Sequence, residues 1–147
     1  MQKNTTAQII SFNVSLVSIL KTQHKALMSK YKEIIGFIET KDYSKLNQSL
    51  KNFNSLTTIH FRDERELYMY LELIISESDG TYRAARKEMK DIAVTIFSII
   101  NMHTNTAVND HTLDQFKIDF ALLGKELLGR MRHEEKHLFN DYVLHSS

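Results

Sequence analysis

The chain has 147 residues, 42% of them hydrophobic and 25% charged, with a net charge of +1 and no cysteine. That length suits one domain, residues 1–147, with a sizeable core, and the near-neutral charge gives no electrostatic basis for binding nucleic acid or a membrane surface. The lack of thiols excludes disulfides, thiol catalysis and thiolate metal sites; it fits a cytoplasmic protein, as do the absence of any apolar run of membrane-spanning length and a start, Met1-Gln2-Lys3-Asn4-Thr5, unlike a secretory signal.

Zero proline and four glycines point to long helices and few loops, because both residues are disfavoured inside helices. A helical apolar period marks four stretches. The first covers roughly 6–39, with Leu16, Leu20, Leu27, Tyr31, Ile34 and Ile38 in register. The second covers roughly 43–77, with Leu46, Leu50, Phe53, Leu67, Leu71 and Ile74, and Asp42 as its N-cap. Ser78-Asp79-Gly80 breaks the chain before a third stretch, roughly 81–108, carrying Tyr82, Ala85, Met89, Ile92, Ile96 and Ile99. Asn109-Asp110 is the break and cap before the fourth, roughly 111–143. Long helices with short connections predict an all-α, antiparallel up-down-up-down four-helix bundle.

Polar residues interrupt the inward stripes. His24 stands between Leu20 and Leu27; His60 and Glu64 stand between Phe53 and Leu67; Arg130 and Glu134 continue the line Phe116, Phe120, Leu123, Leu127. At 1.5 Å per residue, His24 and His60 both lie roughly 25–29 Å from the first turn, near residue 41. Arg130 lies at about the same height above the turn near residue 110. One layer therefore gathers His24, His60, Glu64, Arg130 and Glu134, with Arg86 and Met89 near the same level. His103 and His111 read as surface or cap residues, and His133, His137 and His145 as exposed.

Two arrangements suit such a layer. In the first, His60-Phe61-Arg62-Asp63-Glu64 places an imidazole and a carboxylate one turn apart on one face, as inward ligands of bundle di-iron sites are placed. On Gln23-His24-Lys25-Ala26-Leu27 and His60-Phe61-x-x-Glu64, the first half resembles the hemerythrin and related cation-binding bundles. That resemblance implies iron and dioxygen binding, with His24, His60, Glu64 and Glu134 as ligands. In the second, the layer is metal-free and Arg130 neutralises Glu64 and Glu134. The metal-free form is the one expected, because a guanidinium beside a dication is repulsive. The third and fourth helices also offer Arg86, Met89 and Arg130 where the cation-binding pattern has histidines. No cofactor is expected, iron being the alternative.

The second half carries Gly124-x-x-Leu127-x-x-Arg130-x-x-x-Glu134-Glu135, then Lys136; upstream stand the His60-Phe61 pair and Tyr82-Arg83-Ala84-Ala85-Arg86. On these, residues 16–140 resemble the Rsd/AlgQ family of bacterial regulators. Asn54 stands where that family has an aspartate six residues before its His-Phe pair, and the family's first-helix tryptophan is missing. The resemblance implies a non-enzymatic protein that binds the primary sigma factor of RNA polymerase and limits its use. His24, Asn54, His60, Phe61, Glu64, Arg130, Glu134 and Glu135 would then form the partner-binding region or the buried polar layer beneath it.

Overall fold

The computed structural model describes residues 11–75 and 80–144. Among them the chain forms four long helices and no strand: α1 (Leu16–Thr40), α2 (Tyr43–Leu73), α3 (Thr81–Asn105) and α4 (Leu113–His133). The last runs through one π turn, Glu134–Leu138, into a short α5, Phe139–Leu144. Each helix packs on the next and α4 packs back on α1, which closes the expected antiparallel four-helix bundle.

The connections follow from local chemistry. Lys41 adopts a left-handed conformation (φ 54°), and the Asp42 carboxylate accepts the Lys45 N–H at 3.2 Å, capping α2 as expected. Gly80 precedes α3 at φ 74°, where a residue without Cβ is unstrained. Before α4 the break falls where expected but the cap does not. Asn109 accepts the N–H groups of His111 and Thr112 at 2.8 and 3.2 Å, and Thr112 holds the N-cap position. Asp110 instead accepts the Tyr43 hydroxyl across the loop. Asn47 of α2 ties this loop down through both backbone groups of Val108, at 2.9 and 3.0 Å.

The helices are shorter than the apolar period suggests. α1 begins at Leu16 rather than near 6, and α2 ends at Leu73. Residues 6–10 and 76–79, with the expected break residues Ser78 and Asp79, lie outside the described residues. Ile74, expected on the inward stripe, falls just past α2 and is half-exposed.

Two aromatic clusters fill the core. Towards the α1–α2 turn, Tyr31 stacks on Phe120 at 4.5 Å and Phe116 stacks on Phe120 at 5.1 Å. Gly124 permits the approach of α1 there: a Cβ on it would overlap the Tyr31 hydroxyl and ring. Towards the other end, Tyr142 meets Phe12 at 4.7 Å and Tyr70 at 4.8 Å. Burying each such ring contributes about 1.5–3 kcal/mol. The polar layer lies between the clusters, where burial of charge works against stability.

Candidate metal centre

The layer forms as the height arithmetic predicts. His24 of α1 is 4% exposed, His60 and Glu64 of α2 are 1%, Arg130 of α4 is 5% and Glu134 of the π turn is fully buried. The rings of His24 and His60 lie 4.8 Å apart. One donor atom from each of His24, His60, Glu64 and Glu134 falls within 4.8 Å of the others. Arg86 does not join them. It pairs with Glu72 at 2.6 Å, leaving buried Met89 as the α3 residue at this level.

Outer residues set how each donor points. Gln23 donates through its amide nitrogen to Asp63 Oδ2 at 2.7 Å. Its amide oxygen therefore faces His60 Nδ1, 2.8 Å away. His60 must carry its proton on Nδ1 to donate there, which leaves the lone pair on Nε2 facing the interior. Burial also drops this imidazole to a pKa of about 4, so it stays neutral. Glu64 Oε2 sits 2.8 Å from that lone pair. The distance is that of an ion pair, but the two groups are not aligned for a hydrogen bond. His60 Nε2 and both Glu64 oxygens have no hydrogen-bond partner. The His60 Nε2 lone pair and a Glu64 carboxyl oxygen, neither with a hydrogen-bond partner, thus face each other in the interior.

His24 bridges two carboxylates. Its Nε2 lies 3.0 Å from Glu134 Oε1, and its Nδ1 lies 2.6 Å from Glu135 Oε2. Burial works to lower its pKa, but Glu134 and Glu135 outweigh burial and raise it. Glu134 and Glu135 are adjacent in the chain, and in an α-helix adjacent side chains diverge by about 100°. The π turn that begins at Glu134 winds more residues into a turn, and both carboxylates reach one ring. Glu135 is itself 47% exposed on its side chain.

Burial, and then the negative charge of Glu134, push the Glu64 carboxyl well above its usual range. Burial acts on Glu134 in the same direction, but the hydrogen bond from His24 and the neighbouring Glu64 and His60 prevail and hold it low. The two carboxyl groups are thus driven apart, Glu64 towards its neutral form and Glu134 towards its ionised form.

Arg130 stands behind this set. Its Nε donates to the Tyr68 hydroxyl at 2.6 Å, and that hydroxyl donates to Glu134 Oε2 at 2.8 Å. Its Nη1 reaches outward to Glu88, 3.2 Å away. It lies 3.8 Å from Glu134 and makes no ion pair with Glu64. Two of its three nitrogens are engaged by Tyr68 and Glu88, on the Oε2 side of Glu134 and not on the Oε1 side that faces His24.

The donor set passes a geometric test. Imidazole and carboxylate ligands sit about 2.0–2.2 Å from a transition-metal ion, so opposite ligands of one ion are about 4.2 Å apart. Donors already within 4.8 Å reach that spacing with shifts of a few tenths of an ångström. The unpartnered lone pairs of His60 and Glu64 are the atoms such an ion would satisfy. A surface cavity of about 430 Å³, lined by Lys25, Met28, Lys32, Met131 and Arg132, reaches His24 and Glu135 from solvent.

With this geometry in view, the family comparison is decisive: a family model of the hemerythrin HHE cation-binding domain matches residues 15–143. The chain belongs to the hemerythrin HHE family. No curated protein and no solved structure matches it.

This membership overturns the expected Rsd/AlgQ relationship, and with it the sigma-factor-binding function and regulatory role. The motif behind that expectation is made of bundle packing. Gly124 admits Tyr31, Leu127 fills the core, Arg130 and Glu134 are buried, and Glu135 holds His24. Phe61 is an interior residue set edge-on to Phe97 at 5.5 Å. Asn54 serves its own helix, its carbonyl accepting from Thr57 and Thr58. The expectation of no cofactor is corrected as well, by the family match together with the buried His24–His60–Glu64–Glu134 cluster.

Four functional neighbours were not singled out from the sequence: Gln23 and Asp63, which orient His60, and Tyr68 and Glu88, which hold Arg130. Tyr68 was discoverable, since it follows Glu64 by one helical turn. His103, expected at the surface, is buried against Phe116 and bonds Asp119 at 2.8 Å. His111, His133 and His137 are exposed as expected; His145 lies outside the described residues.

Proposed function

We propose that this protein binds a divalent transition-metal ion of the iron and manganese class, through His24, His60, Glu64 and Glu134. The observation that carries the reading is the lone pair of His60 Nε2. Gln23 and Asp63 fix it towards the interior, opposite a Glu64 carboxylate that has no hydrogen-bond partner. A mixed set of two imidazoles and two carboxylates suits iron, manganese or zinc better than a thiol-seeking or an all-oxygen ion. An iron-class ion held by these four residues would supply Lewis acidity.

The chain's own residues do the rest. Glu135 orients His24 and Gln23 orients His60, in the manner of carboxylate–histidine–metal relays. The aromatic clusters pack the bundle on either side of the layer. The role proposed is binding rather than catalysis, in the cytoplasm, without nucleic acid. Among the described residues no helix is long and apolar enough to cross a membrane.

Metal analysis of the protein purified from iron-supplemented cells tests the reading. Retained iron or manganese in near-stoichiometric amount is expected, and its loss in His60→Ala. Trace metal alone in the wild-type protein, both as purified and after anaerobic reconstitution, would end it.

A further inference from the structure

We infer that the layer holds a single divalent cation, and that Tyr68 and Arg130 occupy the ground a second ion would need. The inference rests on the metal-binding reading above and concerns how many ions the site can take.

Ligand supply is the first ground. Paired-metal sites in bundles draw inward ligands from all four helices. Their two ions stand about 3.5–4 Å apart, each with its own ligand shell. Among the described residues this layer offers four donors, from α1, α2 and the π turn. α3 contributes none of them. Its inward residue at this level is Met89, and its neighbouring Glu88 is 65% exposed and turned to Arg130.

The second ground is the way Glu134 is divided. A carboxylate bridging two ions gives one oxygen to each. Here Oε1 faces His24 and the donor cluster. Oε2 accepts the Tyr68 hydroxyl at 2.8 Å, with Arg130 Nε behind it at 3.8 Å. The oxygen that a second ion would claim is already engaged by the Tyr68 hydroxyl of α2, which Arg130 of α4 holds in turn through Nε.

Charge is the third. One dication balances Glu64 and Glu134, while Arg130 is answered by Glu88. A second dication would add two positive charges beside a buried guanidinium that cannot release its proton.

Anaerobic titration of the full chain with Mn(II) tests this, with metal per chain counted after gel filtration and electron paramagnetic resonance recorded at saturation. Saturation at one ion per chain is expected, with the hyperfine pattern of an isolated Mn(II). Saturation at two ions with an exchange-coupled spectrum would overturn the single-ion inference and leave the metal reading standing. Failure to bind manganese, iron or zinc at all would overturn both.

Discussion

At the scale of single residues, His60 and Glu64 show function set against stability. Glu64 is a buried carboxyl whose oxygens have no partner, and such groups destabilise a fold unless something compensates. Glu64→Leu is therefore expected to abolish metal binding while leaving the metal-free protein as stable or more stable, by about 1–3 kcal/mol. Urea unfolding in chelator checks this; a clear loss of stability would mean that Glu64 already has a compensating partner. Gln23→Ala frees the His60 tautomer and should weaken metal affinity about 10–100-fold, measured by competition with a chelating dye. Arg130→Met leaves Glu134 without its guanidinium and should cost about 3 kcal/mol in the metal-free protein; a loss under about 0.5 kcal/mol would place Arg130 among surface pairs. The four donors were legible in the sequence because each breaks an apolar stripe. The direction of Arg130 was not. A one-dimensional pattern puts Arg130 at the right height but cannot show that Tyr68 and Glu88 draw its guanidinium to the far side of Glu134.

At the scale of elements, the helices were legible and their ends were not. Apolar spacing fixes which face is buried, but it runs on past the hydrogen-bonded ends, as Ile74 shows. The π turn was also hidden. The buried positions Glu134, Leu138 and Tyr142 follow at steps of four, a spacing that gives no sign of a π winding. Yet that turn is what lets Glu134 and Glu135 converge on His24. Packing between elements is tight at Gly124, where Tyr31 is held by stacking on Phe120 and by donating to the Phe120 carbonyl at 3.1 Å. Gly124→Ala gains about 1 kcal/mol of helix propensity but forces apart α1 and α4, at about 1–3 kcal/mol. A net destabilisation on the order of 1 kcal/mol is expected from chemical denaturation, relieved in part by Tyr31→Leu; a more stable variant would show that the Tyr31 ring moves aside freely.

For the whole molecule, composition and period sufficed for the four-helix bundle, because zero proline and four long stripes leave few other solutions. The relationship to known proteins was harder to read. Gly124, Leu127 and Arg130 answer packing demands that unrelated bundles share, so their spacing mimicked a recognition motif. The metal-ligand pattern meanwhile had three of its members in α1 and α2 and the fourth in a π turn. Metal binding should couple to folding, since the donors assemble only in the bundle. An ion at a hundred times its dissociation constant stabilises by about 2.7 kcal/mol, which for a chain of this size raises the melting temperature by about 5–10 °C. Calorimetry with Mn(II) against chelator reads that shift, and Glu64→Leu should lack it. The most direct measurement is the anaerobic binding isotherm of Fe(II) on the wild-type chain beside His60→Ala. Saturable binding by the wild type and none by the variant is predicted; equal binding by both, or by neither, would contradict the buried centre.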